Sequence, residues 1–284
     1  MKARDLYGIL ATDFLKPSIY EEDWLHKMPG LRPYLFPEFI QNGGMGLMCD
    51  FATDIQKVYT TVFLSDKVLS RVLSDDISNA MIFSHHPTNW DLRSHNGNYA
   101  ATEEYIAQLQ QKNIAIYTLH HPLDNFGPHS TCGTLARELG IAVERSAFVY
   151  CGAHCGIIGT TDCKTIGELR DRYAQVVGHA TSLYPYGDQN IQGQEIALCP
   201  GGGSAMFVVS EMLEHNIKTL ITGISLVNDY SRETHATEKA NYINLLGGTH
   251  YSSEKFAPMA MCGYFANLGL PTEFIQDTPD LFDL

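Results

Sequence analysis

The sequence predicts an α/β fold whose strands are buried on both faces, and two observations lead to this prediction. Short apolar stretches alternate with longer amphipathic ones along the chain, as strands and helices do in α/β proteins. The apolar stretches are continuous, without the polar alternation of a strand with one face in water. Apolar residues make up 44% of the 284 residues, which is enough for a sizeable core.

The elements follow one another in regular order. In the first half we expect strands at 58–64, 80–84 and 114–119, and helices at 65–75, 98–113 and 130–140. In the second half we expect strands at 195–199, 219–224 and 242–246, and helices at 165–178, 204–216, 233–241 and 251–269. Ser65 or Asp66 is a suitable N-cap. Gly140 and Gly178 are suitable helix ends, since glycine adopts a left-handed backbone without penalty.

The charge balance restricts the partners of the chain. With 19 basic and 32 acidic side chains the formal net charge is −13, which disfavours broad contact with nucleic acid or an anionic membrane.

The chain shows neither a signal-peptide pattern nor an apolar run of about 20 residues, so no membrane segment is predicted. We read the seven cysteines as reduced thiols of a cytoplasmic protein, and "CGAHC" as a strand end and turn.

Residues with metal-binding chemistry follow four of the predicted strands. In α/β folds, sites gather where strands end and loops begin. The four strand ends are "SHHP" with His85 and His86, "TLHHPLDNF" with His120, His121 and Asp124, "LCPGGGSAM" with Gly201, Gly202, Gly203 and Ser204, and "LLGGTHYSSEKF" with His250 and Glu254.

Spacing gives two of these stretches a physical meaning. His250 and Glu254 are four residues apart, so on a helix they share one face. His120 and Asp124 have the same spacing, but the intervening Pro122 favours a turn over a helix. Imidazole and carboxylate ligands suit Zn, Fe, Mn or Co, and two carboxylates are able to bridge two ions. Taken singly, each stretch also fits an exposed turn, a solvated helix face or tight glycine packing; their shared position at strand ends favours a metal site.

The same four motifs, in the same order, resemble those of a known family. "SHHP", "HHPLD", "CPGGGS" and "GTHYSSE" are similar to the motifs of the NGG-one-interacting factor three, or Nif-three-like, dinuclear metal proteins, also called type-two GTP cyclohydrolase I. The resemblance covers roughly residues 40 to 270. It implies a single domain of two intimately packed α/β lobes, one of residues 1–127 and 246–284 and the other of residues 128–245. It also implies a homo-oligomer, a hexameric ring.

Carried over residue by residue, the resemblance implies two divalent transition-metal ions held by His85, His86, Asp124, His250 and Glu254. Asp124 and Glu254 are the candidate bridges. His120 matches a histidine beside the cluster, and we expect it to support catalysis rather than bind an ion, although a direct ligand role stays open.

The function that follows is a metal-dependent hydrolase acting on a small molecule, with GTP cyclohydrolase activity suggested by the resemblance alone. The turn of Gly201, Gly202, Gly203 and Ser204 is expected to offer backbone N–H groups to an anionic part of the substrate. The alternative is a non-catalytic metal-binding protein with a regulatory or interaction role. A ring that encloses nucleic acid is a third interpretation, which the net charge of −13 disfavours.

Overall fold

The structure is a computed structural model that describes residues 1–22, 24–93 and 98–284. Its strands, in chain order, are β1 (Gly46–Cys49), β2 (Lys57–Thr61), β3 (Ala80–Ser84), β4 (Asn89–Trp90), β5 (Asn98–Tyr99), β6 (Ile114–Thr118), β7 (Ala142–Tyr150), β8 (Ala153–Thr160), β9 (Ser182–Tyr184), β10 (Glu195–Cys199), β11 (Thr219–Thr222), β12 (Asn244–Gly247) and β13 (Thr272–Phe274).

The α-helices, again in chain order, are α1 (Ala3–Phe14), α2 (Pro37–Gln41), α3 (Asp66–Ser74), α4 (Glu103–Gln111), α5 (His121–Asp124), α6 (Thr131–Leu139), α7 (Ile166–Val177), α8 (Met206–Glu214), α9 (Arg232–Ala240), α10 (His250–Glu254) and α11 (Phe256–Asn267). Short 3-10 turns connect several of them.

The first of two compact units comprises residues 1–123 and 258–278. Its sheet has the strand order β1-β6-β3-β2-β13, in which β6, β3, β2 and β13 run parallel and β1 is antiparallel at one edge. Every residue of β3 and β6 is buried, as expected for strands covered on both faces. Because the two strands are parallel neighbours, the residues that follow them lie at the same edge of the sheet.

The second unit comprises residues 124–257 and 279–284. Its sheet has the order β7-β8-β10-β11-β12-β9, and β10, β11 and β12 form a parallel centre flanked by antiparallel strands. The glycine-rich turn follows β10 and α10 follows β12. The carboxyl ends of these parallel strands therefore present two of the four motifs at one sheet edge. The mixed α/β fold that the sequence predicts is thus confirmed.

Local signals placed several helix ends correctly. The Ser65 side chain accepts a hydrogen bond from the Val68 amide, which makes Ser65 rather than Asp66 the N-cap of α3. Gly140 and Gly178 have left-handed backbones at the ends of α6 and α7, as predicted. "CGAHC" is a strand end and turn, with Cys151 and Gly152 linking β7 to β8.

Other predictions were wrong in instructive ways. The helix expected over 98–113 begins at Glu103, because Thr102 caps it and residues 98–99 pair with β4. The helix expected over 251–269 is two helices, α10 and α11. His120 and Asp124 were expected to flank a turn, but His121–Asp124 form the short helix α5. Pro122 is tolerated there because the N–H that proline lacks would have no helical partner in a first turn.

The two units also differ from the expected lobes at their boundaries. Asp124 and residues 246–257, which include His250 and Glu254, belong to the second unit, whereas lobe one was expected to contain them. Residues 246–257 belong to the second unit because β12 pairs with β11 in the second sheet and α10 follows β12 along the chain.

Membrane-spanning capacity is a separate question. Over the part of the chain that the structure describes, no helix combines the length and the apolar character needed to cross a membrane.

Candidate metal centre

His85 and His86 stand where β3 ends, and the sheet itself holds their backbone. The His85 amide donates to the Thr61 carbonyl at 3.1 Å and the His86 amide to the Val62 carbonyl at 2.8 Å, which extends the β2–β3 ladder beyond the strand ends. Both side chains lie in the core, at 0% and 3% exposure. Two adjacent imidazoles are therefore buried at a fixed sheet edge, where an exposed turn would have left them in water.

The surroundings of the two rings define their chemistry. His85 Nδ1 lies 2.9 Å from the Leu119 carbonyl oxygen, which only accepts hydrogen bonds, so Nδ1 carries the proton and the lone pair is on Nε2. The His86 ring is stacked on Phe63, with centroids 4.8 Å apart. The carbonyl contact fixes the orientation of the His85 ring, as supporting hydrogen bonds do for metal-binding imidazoles, and the Phe63 stack fixes that of His86.

His120, which follows β6, completes a histidine group in the first unit. Its ring centroid lies 4.6 Å from that of His86 and 5.3 Å from that of His85. His85, His86 and His120 each offer a ring nitrogen, and these three nitrogens lie within 4.8 Å of one another. Three imidazoles at this spacing are a suitable donor set for a borderline transition-metal ion.

Glu21 borders this group and was not foreseen. Its side chain is fully buried, and it lies against His120 and His121. Burial raises the pKa of the Glu21 carboxyl, while the positive field of His121 and the hydrogen bond from Trp24 oppose that rise. The only sequence signal was an acidic residue close to a tryptophan, in a segment that the motifs do not include.

In the second unit, His250 and Glu254 share one face of α10. Their Nε2 and Oε1 atoms are 3.2 Å apart, and the two residues are 6% and 4% exposed. The helix begins with a side-chain cap from Thr249, which accepts from the Ser252 amide. A buried imidazole and a buried carboxylate whose donor atoms converge are a suitable ligand pair for a divalent ion.

The glycine-rich turn after β10 packs directly on this pair. Gly201 has a φ of +60°, and a Cβ built on it would collide with Glu254 Oε1 and lie 3.3 Å from His250 Nε2. Its amide donates to Ser253 Oγ at 3.0 Å. Glycine is required here because the backbone passes so close to the donor atoms. The sequence predicted that this turn would offer backbone N–H groups to a substrate, and its packing against His250 and Glu254 was not foreseen.

Asp124 and Ser204 also have defined partners in the second unit. Thr131 Oγ1 donates to Asp124 Oδ1 at 2.8 Å, which fixes one carboxylate oxygen. Ser204 is 4% exposed and donates to Glu238 Oε1 at 3.3 Å, so its hydroxyl faces a carboxyl group. The structure thus gives Asp124 the support typical of a metal-binding carboxylate.

The family model for Duf34/NIF3 (NGG1p interacting factor 3) matches residues 36–280. The chain belongs to the NIF3 family. Two curated proteins are similar to it, and both have the name GTP cyclohydrolase 1 type 2 homolog. The one from Archaeoglobus fulgidus is 26% identical over 157 residues, and the one from Borreliella burgdorferi is 23% identical over 202 residues. The aligned parts cover 55% and 70% of this chain, but only 58% of the archaeal protein and 75% of the spirochaete protein.

Solved structures of the same fold agree with this assignment. The chain matches a structure described as protein ybgI of unknown function with a TM-score of 0.74, at 19% identity over 99% of this chain and 100% of that one. It matches reduced HcgD from Methanocaldococcus jannaschii with a TM-score of 0.70, at 18% identity over 98% of both chains. At these identities the matches show the NIF3 fold.

The cysteines near Asp124 have the chemistry of packed thiols. Burial raises the pKa of Cys132 to about 12 and that of Cys199 well above its ordinary range. Both thiols are therefore protonated at neutral pH. Among the residues that the structure describes, groups of histidine, glutamate and aspartate side chains could hold metal ions.

Proposed function

We propose that this NIF3 protein is a metal-dependent hydrolase that holds two divalent transition-metal ions through His85, His86, Asp124, His250 and Glu254. The observation that carries the proposal is the pair of buried histidines His85 and His86 beside the partly buried His120, with one ring nitrogen of each within 4.8 Å of the others. His85 and His86 supply adjacent imidazole donors to this set, and His120 lies close enough to act on a group bound beside them. Zn, Fe, Mn and Co are the ions that suit this donor set.

The second support comes from His250 and Glu254. Their donor atoms converge at 3.2 Å on a helix that the Gly201 backbone packs against. Glu254 and Asp124 are the two carboxylates in the proposed ligand set, and carboxylates are the ligands able to bridge a pair of ions.

Bound ions of this kind lower the pKa of a water ligand from about 15.7 towards about 7 and polarise a carbonyl or phosphoryl oxygen. The protein's own groups supply the remaining functions. His120 holds and moves a proton at a ring nitrogen, acting on the leaving group of the substrate. The backbone N–H groups of the Gly201–Ser204 turn orient an anionic part of the substrate, with Gly202 and Gly203 as the donors because the Gly201 amide is used by Ser253.

The names of the curated relatives make GTP the first substrate to test. We also propose that the protein is cytoplasmic, as its seven cysteines read as reduced thiols suggest, and hexameric, as the family resemblance suggests. A light-scattering mass of the purified protein tests the hexamer. Its net charge of −13 favours a small-molecule substrate over a nucleic acid.

The deciding experiment is metal analysis of protein purified without added metal, followed by a hydrolysis panel that includes GTP. We expect about two transition-metal ions per chain and turnover that chelators abolish. Asp124→Ala should lose that turnover while it keeps its circular dichroism spectrum, and His154→Ala, at an exposed histidine of β8, is the matched control. Two bound ions with no turnover across the panel would instead indicate a metal-binding protein without catalysis.

A further inference from the structure

Glu21 is a buried carboxylate whose nitrogen partners come from Trp24, His120 and His121, all in the first unit. Its Oε1 accepts from the His121 amide at 2.8 Å, and its Oε2 accepts from Trp24 Nε1 at 2.9 Å. The same Oε2 lies 3.1 Å from Nδ1 of His120. The side chain has no solvent exposure. A carboxylate this deeply buried and this well supplied with N–H donors has a fixed position.

The contact with His120 determines which ring nitrogen is protonated. A carboxylate only accepts hydrogen bonds, so the Nδ1 that faces it carries the proton. The lone pair of the neutral ring is then on Nε2. Trp24 adds steric support, because its ring packs edge-on against His120 with centroids 5.2 Å apart.

We propose that Glu21 is a positioning residue that holds His120 in the Nδ1–H tautomer and leaves its Nε2 basic beside His85 and His86. This inference rests on the proposed function, since the tautomer matters for the role of His120 in proton transfer or metal binding. It assigns a role to the N-terminal segment, which lies outside the four sequence motifs.

An ion site of their own is the alternative role for Glu21 and its histidine neighbours. Glu21, His120 and His121 also offer three donor atoms within 4.8 Å of one another, which would suit an ion of their own. Their hydrogen bonds argue against it. His121 Nδ1 lies 2.9 Å from the Tyr20 carbonyl oxygen and carries a proton towards it, and both Glu21 oxygens accept N–H donors. An ion there would displace those bonds, so the structure favours the positioning role.

The test is nitrogen NMR of protein labelled with ¹⁵N in its histidines, in which the two ring-nitrogen shifts report the tautomer directly. His120→Gln identifies the signals of His120 by their loss. In the wild-type protein without added ions we expect His120 to be protonated at Nδ1. Glu21→Gln should shift His120 towards the other tautomer or a mixture, because a neutral amide binds the Nδ1 proton less strongly and presents a donor on one side.

Two variants separate positioning from mere packing. Glu22→Gln changes the adjacent exposed glutamate and should leave the His120 signals unchanged. Trp24→Phe removes one donor to Glu21 and loosens the packing but keeps the carboxylate, so it should preserve the tautomer. A His120 ring protonated at Nε2 in the wild-type protein, or unchanged in Glu21→Gln, would overturn the proposal.

A zinc titration of the same samples distinguishes the remaining outcomes. If Glu21 acts through His120, Glu21→Gln should weaken zinc binding by about 10- to 100-fold, as loss of a supporting hydrogen bond typically does. A zinc-induced shift of the His121 ring signals that is absent from Glu21→Gln would show that Glu21 is itself a ligand, which also overturns the positioning role. A wild-type protein that binds none of zinc, iron, manganese and cobalt would refute the proposed function, while the tautomer measurement would still decide the role of Glu21.

Discussion

The backbone amide of His250 donates a hydrogen bond to Asp283 Oδ2 at 2.7 Å. Asp283 is 1% exposed, and its carbonyl oxygen accepts from the amides of Ser225 and Leu226. Its side chain thus supplies an acceptor at the start of α10, where the first amides of a helix have no helical partners. Residues 279–284 therefore fix the beginning of the helix that presents His250 and Glu254.

We expect Asp283→Ala to lower the free energy of unfolding by about 1 to 3 kcal/mol, because the buried His250 amide loses its acceptor. It should also weaken zinc binding about 10-fold, since the backbone of His250 is less constrained. Urea denaturation and zinc titration measure the two effects. Asp277→Ala, which removes an exposed acceptor of the Thr278 amide outside the 3-10 turn that contains Asp283, is the control and should leave zinc binding unchanged. Equal zinc affinities for the two variants would contradict the role of Asp283.

The second prediction concerns the glycine-rich turn. Gly201→Ala should perturb Glu254 and His250, because the added Cβ would collide with Glu254 Oε1 and the φ of +60° disfavours alanine. We expect a loss of at least 10-fold in zinc affinity together with lower stability. Gly202→Ala is a well-matched control, since a Cβ at that neighbouring residue would meet nothing within 4 Å. A Gly201→Ala protein with wild-type zinc affinity would show that the turn does not constrain the pair.

The third prediction concerns the hydrogen bond between Thr131 and Asp124. Thr131→Val keeps the side-chain shape and removes the donor to Asp124 Oδ1. We expect zinc affinity to fall by about 10-fold with little change in secondary structure. Thr134→Val, in which the lost hydroxyl donated only to backbone carbonyls of the same helix, should retain the affinity. If both valine variants bind zinc equally, Asp124 is not oriented by Thr131.

The fourth prediction is a pH dependence that arises at Glu238. Desolvation raises the pKa of this fully buried carboxyl to about 7 in the folded protein, from 4.5 in the unfolded chain. The folded state therefore binds a proton more tightly than the unfolded state between these values. Ionised Glu238 costs stability as pH rises from 4.5 to 7, with a full cost of about 3 kcal/mol above pH 7.

Glu238→Gln removes this cost. Its stability relative to the wild-type protein should therefore increase from pH 4.5 to pH 7 and then level off, as measured by urea denaturation at each pH. Glu233→Gln, at an exposed position of the same helix, should show a flat difference over that range. A flat profile for Glu238→Gln as well would show that Glu238 is ionised at little cost.

Local features of the chain were predictable from the sequence, and distant ones were not. Ser65, Gly140 and Gly178 act through neighbouring backbone groups, so a short window of sequence is sufficient to identify them. The β7–β8 hairpin escaped prediction because β7 is an edge strand with mostly exposed side chains and a register shift, and thus lacks the continuous apolar pattern of a central strand.

The residues of the candidate site show the same difference between local and distant features. His85, His86, His250 and Glu254 stand out because they directly follow apolar strands or share a helix spacing. Glu21 contacts residues about one hundred positions away, and Asp283 contacts a residue 33 positions away. Neither carboxylate has a local pattern that marks it, since only the folded chain brings it to a histidine. The sequence therefore identifies metal-binding side chains that follow strands. It does not identify the carboxylates that reach those side chains only through tertiary contacts.

The order in which the strands are synthesised has a consequence for biogenesis. Thr272 of β13 pairs with Val58 of β2. This edge of β2 therefore stays unpaired until roughly 200 further residues have been synthesised, which takes on the order of 10 to 40 s at typical elongation rates. During that interval a nascent chain presents an open strand edge, which is prone to pairing with other chains. A ribosome that stalls before Thr272 would release a product of this kind. Translational arrest before Thr272 should therefore promote aggregation, and chaperones that shield strand edges should suppress it.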